Sequence, residues 1–392
     1  MLPYLNPLTI IMIATLPVEV MTMFVGPLFF EIDLMSDIGY QHALLANNIF
    51  ILFQTLGLVS FYKLFKYLQI YKKIPYQRQI LSKLNLVYAN WVFIGIFLIS
   101  MYFLASAEFG VINWMINPRE GYQGYRSGYG PLYALSMSSL AVAVILACLR
   151  KMKPVRLIFT LIMYMPLAYM LGTKAAFLNL FLTVAIMIWF TRWKWFSPFM
   201  LIGTVLIFIL MLFNFYMSNG NINLITIGAY FDHYRNAADY YNQYLSGDID
   251  LFYGDIFTTS YYSYIPRAIW PDKPYAYGAV LVNEIFFPGA AARTNTPAFG
   301  GAVPQFADFS WAGIIFYGFF SSKSILTAFF TYLIFKSPLV DFRNPSILMI
   351  ILLIMQFSLG FGRFFPGFLY LFLVMAIISI LNFIRRVRVG SK

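Results

Sequence analysis

Few side chains in this sequence have types suited to catalysis. Among 392 residues there are only two histidines, His42 and His233, and a single cysteine, Cys148. The sequence has no Walker phosphate-binding loop, dinucleotide fingerprint, HExxH motif or paired-cysteine metal site. A histidine-based metal cluster is therefore not expected, and we predict neither a metal nor another cofactor. Any catalysis must use carboxylates, one histidine, tyrosine, arginine and lysine.

Basic residues in two short motifs have settings suited to binding phosphate. Lys174 ends a Gly-Thr-Lys turn that is predicted to open a helix, where an anion could bind between the lysine and exposed backbone N–H groups. Arg267 and Lys273 lie in residues 265–274, whose three prolines would present an arginine rigidly. Arginine carries a planar fork of donors that matches phosphate oxygens. A lysine that snorkels to the interface and a purely structural turn remain open alternatives.

Four more residues are candidates for the site, three for binding phosphate and one for accepting a proton. Arg363 lies in a glycine-rich turn between two apolar segments, which would hold it at the depth of lipid phosphates. Arg126 and Arg235 lie in connections predicted below to face outward, where membrane topology does not require a cation. His233 is the natural proton acceptor near neutral pH. Salt bridges with outer carboxylates, and an ordinary surface histidine, are the competing interpretations.

Tyrosine and tryptophan residues crowd the connections that carry these cations. Aromatic rings can stack on sugar rings, and tyrosine hydroxyls can hydrogen-bond to them, so the mixture with glycine, asparagine and aspartate suits a carbohydrate groove. The competing interpretation is the generic aromatic belt of a membrane interface. The predicted sugar-binding residues are Tyr125, Tyr262, Trp270 and Glu284.

The elements that must position these residues are predicted from composition. The chain is 61% hydrophobic, 20% aromatic and only 11% charged, against about 25% charged residues in soluble domains. This composition excludes a disordered protein, a coiled coil and nearly any soluble enzyme. Because lipid offers no partner for backbone groups, the apolar segments must be helices. We predict an all-α integral membrane protein with ten spans at 8–30, 43–65, 84–104, 131–149, 155–171, 175–191, 199–217, 312–335, 346–360 and 364–384.

The distribution of basic residues predicts the orientation of these spans. Eighteen of the 27 lysines and arginines, counting Lys63 at the end of the second span and Arg156 at the start of the fifth, belong to the even-numbered connections and the C-terminal tail. These parts are therefore predicted to be cytoplasmic, as are both termini. The net charge of +12 is then mainly an insertion signal, and no nucleic-acid partner is expected. The predicted regions are seven spans in 1–217, a long outer loop in 218–311, and three spans with a basic tail in 312–392.

The long outer loop has a helical period in its first part. Residues 222–245 are predicted to form an amphipathic helix that lies on the outer membrane surface or on the bundle, with Gly247 as its end. Its apolar stripe is predicted to consist of Tyr230, Tyr234, Ala238, Tyr241 and Leu245.

These features together resemble the bacterial O-antigen polymerases and the related repeat-unit polymerases and O-antigen ligases. The similarity lies in the number of spans, the late outer loop, the Gly-Thr-Lys turn at 172–174 and the pattern I-P-R-x-x-W-P-x-K-P at 265–274. It implies a GT-C-like fold and a metal-independent glycosyltransferase at the outer face of the bacterial inner membrane. It also implies functional roles for Arg267 and Lys174, and His233 and Arg235 occupy the part of the loop where relatives carry functional His or Arg.

The leading hypothesis is a polymerase that transfers glycan from undecaprenyl pyrophosphate to the next lipid-linked unit. His233, Arg235 and Arg267 are the predicted catalytic residues. The pyrophosphate would be bound by Lys174, Arg267, Lys273, Arg363 and Arg126. The expected partners are the lipid-linked oligosaccharide, membrane lipid and a chain-length regulator. The alternatives are an O-antigen ligase of the same architecture and a transporter or flippase of lipid-linked glycan.

Overall fold

The computed structural model describes about half of the chain, and the statements below are confined to that part. All regular structure in it is helical. The described residues are 36–69, 83–108, 110–124, 130–149, 154–173, 234–265, 267, 269–292 and 299–321, with isolated helical positions within 176–184 and 324–332 and at 380.

The described helices form two compact units. In chain order they are α1 (Ile38–Tyr67), α2 (Lys83–Glu108), α3 (Val111–Ile116), α4 (Pro118–Gly124), α5 (Gly130–Leu149), α6 (Pro154–Met170), α7 (Arg235–Ser246), α8 (Asp255–Ser260), α9 (Val280–Phe286) and α10 (Val303–Phe319). A 3₁₀ helix, Tyr261–Tyr264, continues α8. The first unit contains α1 and α7 to α10, and the second contains α2 to α6.

Helices α2, α5 and α6 of the second unit pack through small and polar residues. Ala89 of α2 and Ala143 of α5 are completely buried in their common core. Asn90 Nδ2 donates to the carbonyl oxygen of Ala143 at 2.5 Å and to the hydroxyl of Tyr164 in α6 at 2.8 Å. Small contact residues and hydrogen-bonded polar side chains are typical of helices that associate in lipid, where apolar surface alone gives no driving force.

The surface of both units is apolar where a soluble protein would be polar. Trp91 and Phe103 of α2 are 65% and 57% exposed, whereas Ser100 of the same helix is buried. In α1, Leu52 is 55% exposed and Gln54 is buried. Within the described part, α1 and residues 86–107 are long and apolar enough to cross a bilayer. This distribution is the one that a helical membrane protein requires.

Four predicted spans coincide with observed helices. The segments 43–65, 84–104, 131–149 and 155–171 correspond to α1, α2, α5 and α6. The segments 8–30, 199–217 and 346–360 lie outside the described residues, and only isolated positions of 175–191 and 364–384 are described.

The predicted span 312–335 is not one continuous helix. Helix α10 begins at Val303 and leaves helical geometry at Phe309 and Ser310, where the φ of Ser310 is +58°. It ends at Phe319, and Ser321 Oγ then accepts the backbone N–H of Ser324 at 3.0 Å, which caps a new helical turn. The interruption after Phe319 is the one that lies within the predicted span, and apolar residues on both sides of it make the sequence look continuous.

Helix α1 packs against α7 and α10 at two glycines. A Cβ on Gly39 would lie 2.3 Å from the carbonyl oxygen of Ala238 in α7, and one on Gly57 would lie 2.1 Å from that of Phe319 in α10. Any larger residue would force these backbones apart. Asp37, the N-cap of α1, also accepts a hydrogen bond from Asn242 Nδ2 of α7 at 3.3 Å.

The second half of the amphipathic helix predicted over 222–245 is present as α7, and its end at Gly247 is confirmed, whereas residues 222–233 lie outside the described part of the chain. Gly247 adopts the left-handed conformation with a φ of +81°. The predicted burial of Tyr234, Ala238 and Tyr241 is also confirmed. The prediction for Leu245 is wrong, because Tyr244 instead faces Phe306 of α10 with ring centroids 5.0 Å apart.

Candidate functional site

The segment that was predicted to present an arginine rigidly is closed by that arginine's own hydrogen bonds. Arg267 Nη1 donates to the carbonyl oxygens of Pro271 at 3.3 Å and Lys273 at 2.5 Å, and Nη2 donates to that of Pro274 at 3.1 Å. The guanidinium also lies 3.9 Å from the ring centroid of Tyr275, within cation–π distance. One side chain therefore holds the turn of residues 265–277, named the Arg267 loop below.

Lys273 connects the Arg267 loop to the preceding 3₁₀ helix. Its Nζ donates to the carbonyl oxygens of Ile265 at 2.9 Å and Tyr262 at 3.3 Å, and it lies 5.1 Å from the ring centroid of Tyr277. The residue is only 8% exposed. A buried ammonium needs such partners, because removing an unpaired charge from water is costly. Lys273 therefore acts as an internal brace of the loop.

Aromatic rings surround the two cations. Tyr262 and Trp270 pack edge to face, with centroids 4.9 Å apart and an interplanar angle of 77°. The Tyr262 ring is 6.3 Å from that of Tyr277. Edge-to-face contacts hold the rings in defined positions. Trp270 is half-buried and Tyr275 is 51% exposed, so aromatic surface beside Arg267 remains accessible.

No carboxylate of the described residues cancels the positive charge of Arg267. Within the described residues Arg267 forms no ion pair, and its hydrogen-bond acceptors are neutral carbonyl groups. These carbonyls solvate the cation but leave its net charge intact. The Nε–H donor and one Nη2–H donor have no partner in the described part of the chain. The half-buried guanidinium can therefore offer two donors and a full charge to an anion.

The two ends of the Arg267 loop are fixed to α8. The N–H of Gly278 donates to Thr259 Oγ1 of α8 at 2.8 Å. Gly278 has a φ of +58°, and a Cβ there would lie 2.8 Å from Ser260 Oγ. At the other end, Ile265 directly follows the 3₁₀ helix that continues α8, and Lys273 from within the loop is bonded to Tyr262 of that helix. The loop leaves and returns to one short helix, which sets the position of the guanidinium.

Helix α7 carries the predicted Arg235 in its first turn, where the side chain is exposed. Behind it, Tyr240 and Tyr241 are completely buried. Burial, and secondarily a neighbouring tyrosine, raises the pKa of both hydroxyls, so both stay protonated at neutral pH and neither can act as a base. Tyr241 donates to the carbonyl oxygen of Gly301 at 2.8 Å, whereas the Tyr240 hydroxyl has no hydrogen-bond partner among the described residues.

Glu284, a predicted sugar ligand, lies on α9, and its two carboxylate oxygens differ in their hydrogen bonding. Oε1 accepts a hydrogen bond from the backbone N–H of Gly289. Oε2 is buried and has no hydrogen-bond partner within the described residues. Glu284 therefore retains one oxygen with unused acceptor capacity.

In the second unit, the turn that precedes Lys174 is also closely held. The carbonyl oxygen of Met170, at the end of α6, accepts the indole N–H of the fully buried Trp114 at 2.7 Å. The carbonyl oxygen of Leu171 accepts the hydroxyl of Tyr133 at 2.8 Å. Gly172 has a φ of +63°, and a Cβ there would lie 2.1 Å from the carbonyl oxygen of Pro118. Residues 170–173 are named the Gly172 turn below.

The structure thus brings together four of the predicted site residues. Tyr262, Arg267, Trp270 and Lys273 form one cluster in and beside the Arg267 loop, and Arg235 and Glu284 lie on other helices of the same unit. No three metal-binding side chains come together among the described residues. The predicted residues that lie outside the described part of the chain are Tyr125, Arg126, Lys174, His233 and Arg363.

Sequence reasoning missed Asp308, a carboxylate that accepts four hydrogen bonds from described residues. It is completely buried in α10 and accepts hydrogen bonds from α8 and from Tyr317. The available signal was an isolated acid at the start of a long apolar run, which usually has a functional or structural reason at membrane depth.

Comparison with known proteins finds relatives over part of the chain. The O-antigen polymerases of Salmonella typhimurium and Salmonella typhi are each 27% identical to it over 226 residues, which cover 56% of this chain and 54% of theirs. The chain therefore matches about half the length of these curated relatives. No protein-family model and no solved structure matches it. The resemblance predicted from the motifs is confirmed: the chain is related to the O-antigen polymerases.

Proposed function

We propose that this protein polymerises lipid-linked oligosaccharide repeat units at the outer face of the bacterial inner membrane. Two findings support the proposal: the relationship to O-antigen polymerases and the uncancelled charge of the Arg267 loop. The proposed enzyme is a metal-independent, GT-C-like glycosyltransferase with ten spans and both termini in the cytoplasm. In support of this topology, α7 of the loop predicted to lie outside contacts the start of α1, which is predicted to lie on the same side.

The proposed reaction transfers the growing glycan to the next unit. The acceptor hydroxyl oxygen attacks the anomeric carbon, and the bond from that carbon to the pyrophosphate oxygen breaks. Undecaprenyl pyrophosphate leaves with the electron pair, and the hydroxyl proton passes to a base, for which His233 is the proposed residue. The leaving group needs no acid if cations stabilise its developing charge.

In this proposal Arg267 supplies most of that stabilisation. Neutral carbonyls hold the guanidinium through three of its N–H groups, and its other two donors have no partner among the described residues. The group therefore need not reorganise when the pyrophosphate leaves. Lys273 adds positive potential while bracing the loop. Lys174, Arg126, Arg235 and Arg363 are proposed to complete the pyrophosphate site.

The sugar rings are proposed to lie against the aromatic side chains beside the guanidinium. Trp270 and Tyr262 are held edge to face, so their positions are set before substrate arrives. Glu284 and Tyr125 are the proposed polar contacts. The Oε2 of Glu284 is buried and has no partner among the described residues, so it would have to become accessible to accept a sugar hydroxyl. The polyprenyl chain would remain in the lipid.

The observation that carries the proposal is the uncancelled charge of Arg267, and its removal is the direct test in cells. Arg267→Ala is expected to abolish long glycan chains while the amount of protein in the membrane stays unchanged. Lys66→Ala removes an exposed cation from the last turn of α1 and serves as the control, with chain lengths expected to stay normal. Wild-type chain lengths in Arg267→Ala would contradict the assignment.

Deletion of the gene distinguishes this function from the two alternatives. A polymerase predicts that the lipid A core still receives one repeat unit. Complete loss of glycan from the core would instead indicate a ligase. Transport of the lipid-linked glycan across liposomes by the purified protein, without bond formation, would indicate a flippase.

A further inference from the structure

We propose that Asp308 is a positioning residue, which holds α8 and with it the Arg267 loop on α10. This inference rests on the proposed function, because its consequence is that Asp308 sets the position of the guanidinium during glycan transfer. Asp308 has no solvent-exposed surface, so it acts through the loop and does not touch substrate.

The carboxylate of Asp308 binds the beginning of α8. Oδ1 accepts the backbone N–H groups of Gly254 at 2.9 Å and Ile256 at 3.1 Å, and Oδ2 accepts that of Phe257 at 3.0 Å. N–H groups in the first turn of a helix have no partner within the helix and carry the positive end of its dipole. A residue more than fifty positions away in the sequence thus caps α8.

The same carboxylate also bridges the break in α10. The hydroxyl of Tyr317, in the second half of α10, donates to Asp308 Oδ2 at 2.5 Å. The break itself, at Phe309 and Ser310, follows Asp308 directly. A non-glycine residue at a positive φ is unfavourable and persists only where its surroundings hold it. Asp308 therefore joins three pieces: α8 and the two halves of α10.

Helix α8 connects Asp308 to the Arg267 loop. Helix α8 continues into the 3₁₀ helix, whose carbonyl at Tyr262 is bonded to Lys273, and Thr259 of α8 is bonded to Gly278 beyond the loop. A shift of the first turn of α8 would therefore move both ends of the Arg267 loop together. Displacements of about 1 Å at such a distance from the chemistry can reduce the rate on the order of 100-fold.

The test uses the purified full-length protein in liposomes with a synthetic lipid-linked repeat unit. Asp308→Asn preserves the side-chain size but replaces one of the two acceptor oxygens with an NH₂ donor and removes the negative charge. We expect kcat to fall about 100-fold, with KM changed by less than about twofold. Tyr317→Phe removes one of the four hydrogen bonds and should reduce kcat about three- to tenfold. Asp250→Asn, the same change at an exposed aspartate, should leave both constants unaltered.

Hydrogen exchange measures the anchor itself, independently of activity. In Asp308→Asn, exchange in a peptide covering residues 254–260 should accelerate at least about tenfold, while exchange in α7 stays unchanged. A global loss of folding would accelerate both. If Asp308→Asn does not accumulate, Tyr317→Phe provides the same comparison with a smaller change.

A double-mutant cycle tests whether Asp308 acts through Arg267. In an Arg267→Lys background the further loss caused by Asp308→Asn should shrink to less than about threefold, because the guanidinium it positions is already gone. Two losses that simply multiply would overturn the proposal, as would unchanged exchange at 254–260 or an unchanged kcat. If the wild-type protein forms no polymer at all, the proposed function fails, and the exchange result still decides whether Asp308 anchors α8.

Discussion

Two connections of this protein bind carbonyl groups with different kinds of donor. In the Gly172 turn, the carbonyls at the end of α6 are bonded to neutral groups, the indole of Trp114 and the hydroxyl of Tyr133. In the Arg267 loop, the equivalent partners are the cations of Arg267 and Lys273. Both arrangements hold a turn, but only the second adds charge.

The difference separates a structural need from a functional one. Neutral donors satisfy buried carbonyls without the cost of taking a charge out of water. The Gly172 turn shows that this protein meets the structural need with neutral aromatic donors. Neutral donors would also be sufficient to bind the carbonyls of the Arg267 loop. What the cations of Arg267 and Lys273 add is positive charge. That charge is what the departing pyrophosphate of the proposed reaction needs.

The largest expected effect comes from removing the charge of Arg267 while keeping a donor. Arg267→Gln leaves an amide N–H that can bond the loop carbonyls, so the amount of folded protein should stay near normal. Polymerisation by the purified protein should fall about 100- to 1,000-fold, or roughly 3–4 kcal/mol in the barrier. If Arg267→Gln polymerised at the wild-type rate, the cation would be structural like the donors of the Gly172 turn, and the comparison would collapse.

An intermediate effect, on stability, is expected at the Gly172 turn. Trp114→Phe removes the indole N–H that bonds Met170, and the free energy of unfolding should fall by about 1–2 kcal/mol. Thermal unfolding in detergent measures this change. Trp91→Phe makes the same substitution at a side chain that is 65% exposed, and it should alter the melting temperature little. Equal shifts in both variants would mean that the indole bond contributes nothing specific.

The smallest effects are expected at two adjacent buried tyrosines that differ in their hydrogen bonding. Tyr241→Phe removes a hydroxyl bonded to Gly301 and should cost about 1 kcal/mol. Tyr240→Phe removes a buried hydroxyl that has no partner in the described residues, and it should be neutral or slightly stabilising. Chemical denaturation of the pair checks the order, which would be reversed if the Tyr240 hydroxyl were the one that matters.

The same two hydroxyls predict how stability depends on alkaline pH. Burial raises the pKa of both in the folded protein above the ordinary value of 10.0. Above that value the unfolded chain loses protons that the folded chain keeps, so the stability present at lower pH is lost as the pH rises. Each phenylalanine substitution should reduce this loss. If both variants lost stability at alkaline pH as steeply as the wild-type protein, this prediction would be contradicted.

Much of the helical framework could be predicted from the sequence. Helices α1, α2, α5 and α6 follow from apolar runs in the sequence, and Gly247 follows from the preference of a helix end for glycine. The prolines of residues 265–274 predict a fixed turn there, and the hydrogen bonds of Arg267 close that turn. These are local properties, which depend on neighbouring residues and therefore appear in the sequence.

The remaining features depend on contacts between distant segments. The break in α10 and the role of Asp308 require α8, whose bonded residues lie 51 to 54 positions earlier. Leu245 was predicted to lie on the buried side of α7, but Tyr244 makes the contact with Phe306 of α10. The bonds of Arg267 to carbonyls four to seven residues away depend on the path of the turn, which residue types alone do not specify.

The central claim is that the Arg267 charge drives departure of a lipid pyrophosphate during polymerisation. The most direct measurement follows the reconstituted protein with a synthetic lipid-linked repeat unit and quantifies polyprenyl pyrophosphate released for each glycosidic bond formed. We predict a one-to-one ratio for the wild-type protein and loss of both products in Arg267→Ala. Bond formation at the wild-type rate in Arg267→Ala, or glycan movement across the membrane without release, would contradict the claim.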